Sequence, residues 1–450
     1  MFTQRIRRHL EHGPFFCALA LAGGIVLPSI VYAQDSQQGT LQYGPQGTLL
    51  DGAIIGGVSD LSAAYYNPGA LVLLSNPRFA ASLVSVTWDR LEIEDVGTGL
   101  TFASQPVSIH PDLVAGSIDH TGRAAIAWSF LMRQQLDYDF AESKVTIEVP
   151  AGERASALYA RRRQRIREYW AGPTWSYRLA SRAAVGVSAF GAYRLQRLRR
   201  IGLVDEAGGN GSAAASAMLE QEYDHVRLLA KVGLAWRPGR FELGATVTTP
   251  GFAVWSAGRV RSIVSVTAPN DTPLLGGVDQ EGLKADYRPP WSIGGGGTWR
   301  GQRTAAHVSA EWYSAIETAA ILAAQPGQIY GSEAQYPVSL FGGRKSALWI
   351  AAGLEHHLSD STSLCASASR DPSSGVAGGD TFSTMGITSV GAGVLFPVRK
   401  ARVGLGIRFG WGQGPSSSVN PIPGERPADG STVSIRRISF TFGTANRSGI

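Results

Sequence analysis

Six tight turns alternate with seven longer polar stretches along this chain, and each connection lies between segments with the residue pattern of β-strands. The turns are His120-Thr121-Gly122, Ala180-Ser181-Arg182, Pro238-Gly239-Arg240, Gly301-Gln302-Arg303, Ser359-Asp360-Ser361 and Arg399-Lys400. The loops fall near 94–109, 148–159, 205–221, 268–281, 318–345, 372–386 and 415–430. Strict alternation puts every tight turn on one side. A soluble β-sandwich has no reason to sort its connections in this way. A membrane barrel does, and only a closed barrel lets strands cross a bilayer with every backbone group paired. The predicted fold class is all-β: a transmembrane antiparallel β-barrel of about fourteen strands within residues 78–450.

The strands carry the alternation this requires. Val226, Leu228, Ala230, Val232, Leu234 and Trp236 alternate with Arg227, Lys231 and Arg237, and Val403, Leu405, Ile407, Phe409 and Trp411 alternate with glycines and Arg408. In water the apolar face would need a second sheet; lipid can cover it instead. Near-zero mean hydropathy agrees, because lumen-facing positions offset lipid-facing ones. All eleven Trp fall within candidate strands, and Trp236 and Trp299 sit just before tight turns, where an interfacial belt belongs. The last strand sets Ile438, Phe440 and Phe442 on one face and Arg437, Ser439 and Thr441 on the other. Many of the 55 glycines lie inside strands, which suits curvature and close backbone approach.

Residues 1–33 read as a secretory signal: Arg5, Arg7 and Arg8, an apolar run from Phe15 to Val31, then Val31-Tyr32-Ala33 before the expected cleavage site. The run is short and broken by Gly and Pro, which disfavours an anchor helix. Cys365 is the one cysteine beyond the signal, so neither an internal disulfide nor a thiolate metal site is expected. The formal charge of +6 is too weak an excess to point to nucleic acid.

Residues 34–77 break the strand rhythm, being small, polar and Gly-rich. Within them stands Asp60-Leu61-Ser62-Ala63-Ala64-Tyr65-Tyr66-Asn67-Pro68-Gly69-Ala70-Leu71. This stretch resembles the N-terminal hatch of the outer-membrane long-chain fatty acid transporter family, which includes aromatic-hydrocarbon uptake channels. There an acidic residue, small residues and an aromatic precede Asn-Pro-Ala-Gly; here Gly69 and Ala70 are exchanged. Thr249-Pro250-Gly251 and Pro289-Pro290-Trp291-Ser292 are further, weaker similarities. The resemblance implies a plug at 34–77, with Asp60, Tyr66, Asn67, Pro68 and Gly69 as hatch or gate residues. It implies passive uptake of a hydrophobic small molecule by a monomeric barrel in the outer membrane of a Gram-negative bacterium. It also implies a lateral exit at a kink in the third strand, although residues 124–147 contain no Gly or Pro to mark one. Independently, Pro68 fixes one dihedral and pushes Asn67 toward extended backbone, and the Asn side chain can cap the turn that follows.

The densest charge cluster is Arg161-Arg162-Arg163-Gln164-Arg165-Ile166-Arg167. Arg161, Arg163 and Arg165 share a strand face, and Arg194, Arg197, Arg199 and Arg200 follow on the next strand. Such a patch suits lipopolysaccharide phosphates or the carboxylate of an incoming ligand, with Arg161, Arg163, Arg165 and Arg194 as contacts. His356-His357 lack a spaced third ligand, and no local signature singles out a Ser–His pair, so no metal, cofactor or catalytic residue is expected. The runners-up are a general diffusion porin and a surface adhesin.

Overall fold

A computed structural model describes residues 31–32, 41–75, 77–95, 100–148, 154–208, 211–269, 272–331, 333–375, 385–415 and 432–446. The predicted signal lies outside these residues except for Val31 and Tyr32. Antiparallel ladders close a barrel of 14 strands. These are β1 Phe79–Asp95, β2 in three pieces (β2a Leu100–Ser104, β2b Val107–His110, β2c Leu113–His120), β3 Ala124–Glu148, β4 Arg154–Ala180, β5 Ala183–Gly208 and β6 Gly211–Trp236. Next come β7 (β7a Phe241–Thr248, β7b Phe252–Thr267), β8 (β8a Leu274–Leu283, β8b Ser292–Arg300), β9 Thr304–Tyr313 and β10 Ala347–His357. The last four are β11 Ser363–Asp371, β12 Gly386–Val398, β13 Ala401–Pro415 and β14 Thr432–Asn446. β1 pairs with β14, which removes the sheet edge.

Outward positions nearest the tight turns are apolar. Trp128 and Phe130 on β3, Trp175 and Tyr177 on β4, Val232, Leu234 and Trp236 on β6, and Phe440 on β14 all stand exposed. A band this large has no place in water. No described helix is long and apolar enough to cross a membrane, which leaves the crossing to strands. Trp236 and Trp299 face outward at the turn end, as their spacing predicted. Trp170 and Trp349 instead point into the bore, and Trp291 lies just before β8b rather than in a strand.

The long connections differ most from the sequence reading. Residues 205–221 and 268–281 are largely strand: β5 runs to Gly208, β6 starts at Gly211, and β8a starts at Leu274. Strands of 25 to 27 residues rise far beyond the 9–11 or so that a bilayer needs. Above the lipid their outer positions turn polar, which erases the alternation that marks a strand. Residues 94–109 hold β2a and β2b, both paired to β1. Residues 318–345 are no open loop either: Ile316–Leu322, Gly327–Ile329, Gln335–Tyr336 and Leu340–Arg344 are short strands folded into the mouth. Ile321, Leu322, Tyr336, Val338 and Leu340 bury there against Leu198, Leu219 and Tyr223.

Inside the bore lie residues 41–75, with helix α1 Gly44–Leu49, helix α2 Ala63–Tyr66 and a 3-10 segment Pro68–Leu73. Leu50, Ala53, Ile54, Val58, Leu61 and Val72 are almost wholly buried. The inner wall is built around them. A Cβ on Gly233 would fall 2.3 Å from the Asn67 side-chain oxygen, one on Gly186 2.4 Å from the Pro68 carbonyl, and one on Gly244 2.1 Å from the Ile55 carbonyl. Many strand glycines thus mark where the inserted segment touches the wall.

Candidate functional site

The inserted segment is pinned at a corner that its own sequence dictates. Asn67 is extended (φ −158°, ψ 95°), as a residue before proline should be, and Pro68 starts the 3-10 segment. The Asn67 Oδ1 accepts from the Gly69 N–H at 3.1 Å, while Nδ2 donates to the Ile55 carbonyl at 3.0 Å and the Leu234 carbonyl at 2.9 Å. One fully buried amide therefore ties the corner to itself, to the preceding turn and to β6. Gly69 must lack a side chain, because a Cβ would sit 2.6 Å from the Gly233 carbonyl. Tyr66 donates to Gln42 at 2.7 Å and accepts from the Tyr43 N–H at 2.9 Å. Asp60 Oδ1 accepts from the Ser62 N–H at 2.8 Å; burial pushes this carboxyl above its ordinary range, with the hydrogen bonds to Ser62 opposing.

Further bonds anchor the segment around the wall. Gln46 donates to Glu355 at 3.0 Å, Asp51 receives Arg408 at 2.7 Å, the Ile55 N–H meets Ser309 at 3.0 Å, and Ser188 donates to the Ala64 carbonyl at 2.7 Å. Tyr43 reaches β3, donating to the Met132 carbonyl at 2.9 Å.

Rings and paired charges pack the bore around Tyr43 and Tyr65 of the segment. Tyr43, Tyr65, Trp170 and Phe190 form a chain of ring contacts between 4.5 and 6.2 Å. Lys231 stands over Tyr65 at 4.6 Å and lies 3.6 Å from Glu311. Glu168 receives Trp170 at 2.6 Å, Arg194 at 3.1 Å and Arg227. Arg194 and Arg227 in turn stack on Tyr287, which the interruption between β8a and β8b carries inward. Low dielectric makes these paired charges rigid. The void left among them is about 30 Å³, room for about one water.

A larger cavity lies at the wall. About 500 Å³ opens beside β2b, lined by Asp89, Leu91, Pro106, Val107, Leu136 and Tyr138 among others. Two local features create it. Pro106 and Pro111 break β2, and proline cannot donate to a ladder. β3 carries a bulge: Met132 opposes Tyr169 and Gln134 opposes Glu168, leaving Arg133 extra. β2c pairs with β3 only as far as Leu113–Leu131, and no β2b–β3 ladder is present among the described residues. A bulge needs neither Gly nor Pro, so nothing in residues 124–147 marked it in the sequence. Beside the cavity Leu91, Ile93, Tyr138, Phe140, Ile387, Val433 and Ile435 pack into a buried apolar cluster, with Phe102 and Leu136 against it.

The basic cluster divides. Arg161, Arg163 and Arg165 project from the outer wall, whereas Arg194 is wholly buried in the bore. The four do not form one patch, because odd positions of β4 face out while Arg194 belongs to the inward set of β5. The bore residues Glu168, Arg227, Lys231 and Glu311 were missed from sequence. Their one signal was a lone charge on the otherwise small or polar face of an alternating strand.

No family model and no curated protein sequence matches this chain. Solved structures do. A Pseudomonas aeruginosa FadL homologue aligns over 91% of this chain and 99% of its own, at TM-score 0.59 and 13% identity. The P. putida toluene transporter TodX aligns over 92% and 100%, at 0.56 and 14%. The Ralstonia pickettii toluene transporter TbuX aligns over 91% and 99%, at 0.54 and 13%. The chain therefore has the FadL-like fold, an outer-membrane-type β-barrel.

Proposed function

We propose that this protein is a monomeric channel of the Gram-negative outer membrane for passive uptake of hydrophobic small molecules, long-chain fatty acids or aromatic hydrocarbons. Residues 41–75 act as the plug, with Asp60, Tyr66, Asn67, Pro68 and Gly69 holding its gate corner. Solute enters from the mouth, reaches the wall cavity beside the plug and leaves sideways between β2b and β3 into lipid. The observation that carries this reading is the pairing of a bore filled by residues 41–75 with a cavity of about 500 Å³ at an unladdered stretch of wall. Physics favours the sideways step: each methylene gains about 0.8 kcal/mol by entering hydrocarbon rather than water. A diffusion porin needs a water-filled axis, which the void of about 30 Å³ does not supply. That TodX and TbuX are toluene transporters supports the solute class, and no catalytic role is assigned.

The test is uptake of a fluorescent fatty acid and of toluene by vesicles holding the purified protein, together with planar-bilayer conductance. The intact protein should take up hydrophobe at low conductance. High conductance without hydrophobe uptake would favour the porin and end this reading.

A further inference from the structure

Two rows of charge cross the outer wall, on the face away from the bore. One runs Asp137 on β3, Arg165 on β4, Arg197 on β5, Glu222 on β6 and Arg259 on β7b; the other runs Asp139, Arg163, Arg199, Glu220 and Arg261. Opposite charges face each other at every step of both rows but one. On the β4–β5 ladder Arg165 stands directly opposite Arg197, and Arg163 opposite Arg199. Like charges in that relation destabilise a sheet, and here two such pairs are stacked into a square of four guanidiniums.

The flanking carboxylates satisfy the square unevenly. Arg199 lies 2.8 Å from Glu220, Arg165 2.9 Å from Asp137 and Arg197 3.4 Å from Glu222. Arg163 lies 4.0 Å from Asp139, whose two oxygens Arg161 already holds at 2.8 and 2.6 Å. The four arginines enclose an outward groove of about 220 Å³ with Glu220 and Glu222 at its far side. Their forks present parallel N–H donors, which match phosphate oxygens in pairs.

Height then selects the partner. Below the square, past Arg167, the outer face of the same two strands turns apolar, with Tyr169, Trp175 and Tyr177 on β4 and Leu195, Tyr193 and Val187 on β5 down to the tight turn. The square thus stands at the upper border of the lipid-facing band. A lipid with acyl chains against that band carries its headgroup phosphates at the square.

We propose that Arg163, Arg165, Arg197 and Arg199 form a docking site for the phosphates of an outer-leaflet glycolipid of the lipid A type. The site rests on the outer-membrane reading above but not on what the bore carries. It keeps Arg163 and Arg165 of the sequence-predicted patch, gives Arg161 the supporting role of occupying Asp139, and leaves Arg194 to the bore.

The test uses the full chain in detergent, native mass spectrometry, and three probes: bisphosphorylated lipid A, dephosphorylated lipid A and inorganic phosphate. The double variant Arg163→Gln/Arg199→Gln should bind bisphosphorylated lipid A about a hundredfold more weakly, roughly tenfold for each charge-assisted contact. Arg90→Gln, an exposed arginine on β1 paired with Glu92, should bind as the parent does. Dephosphorylated lipid A should bind the parent no better than the double variant binds lipid A. In lipid-free detergent the double variant should be the more heat-stable protein, since it relieves facing positive charges; a purely structural role predicts the reverse. Undiminished binding by the double variant, equal binding of dephosphorylated lipid, or displacement of lipid by equimolar inorganic phosphate would each overturn the assignment. Conductance and hydrophobe uptake of the double variant should match the parent, so this site and the channel reading can fail separately.

Discussion

At the scale of single residues, the segment inserted in the bore depends on a few buried polar atoms. Replacing Asn67 by Ala strands the Gly69 N–H and the Ile55 and Leu234 carbonyls, each at a cost of about 1–3 kcal/mol. Asn67→Ala should therefore show ion leak in planar bilayers; a seal as tight as the parent's would remove the corner from the gate. Gly233→Ala should leak as well, because the new methyl meets the Asn67 oxygen, and overpacking of this kind costs about 1–3 kcal/mol. Asp60 adds a pH term with a defined sign. Its carboxyl is held up by burial, so the cost of burying its charge is present above the folded-state pKa and fades as pH falls through it. Leak should thus decrease on acidification, and Asp60→Asn should flatten that response in the same recording. The Asn-Pro corner was legible because proline restricts its predecessor whatever surrounds it. Tyr43 and Lys231 were not, because their roles exist only once Met132, Tyr65 and Glu311 are brought across the bore.

Among the elements, β3 and its neighbour β2 carry the functional asymmetry. The breaks at Pro106 and Pro111 could be read from sequence as interruptions, though they split a strand rather than end one. The bulge at Arg133 could not, because a bulge is a relation between two strands and no residue in 124–147 is obliged to make one. Deleting Arg133 restores continuous register between β3 and β4. The expected outcome is hydrophobe uptake lowered by an order of magnitude or so in the vesicle assay, with conductance unchanged, since about 1.4 kcal/mol on the limiting step is tenfold. Uptake at the parent's rate would rule out this stretch of wall as the exit. The interruption at 284–291 acts differently: it brings Tyr287 inward onto Arg194 and Arg227, whereas Thr249-Pro250-Gly251 stays exposed.

For the molecule as a whole, strand number and closure followed from the turn rhythm, because a bilayer allows few solutions to backbone pairing. What the pattern understated was height. The charged upper wall of β3 to β8 hid strands that alternation alone would have found in lipid. Removing residues 41–75 should leave a folded barrel whose conductance rises several-fold, because those residues fill the bore and the wall ladders do not depend on them. No rise would mean that the folded-in segments Ile316–Leu322 and Leu340–Arg344 seal the axis alone.

The β1–β14 seam has a consequence for how such a molecule comes into being. Phe79–Asp95 leaves the ribosome well before its partner Thr432–Asn446. Until that partner is made, the edge of β1 away from β2 stays unpaired, so assembly has no closed half-finished product. Nascent chains cut short of Thr432 should be cleared by envelope proteases rather than accumulate, a result pulse-chase labelling would reveal.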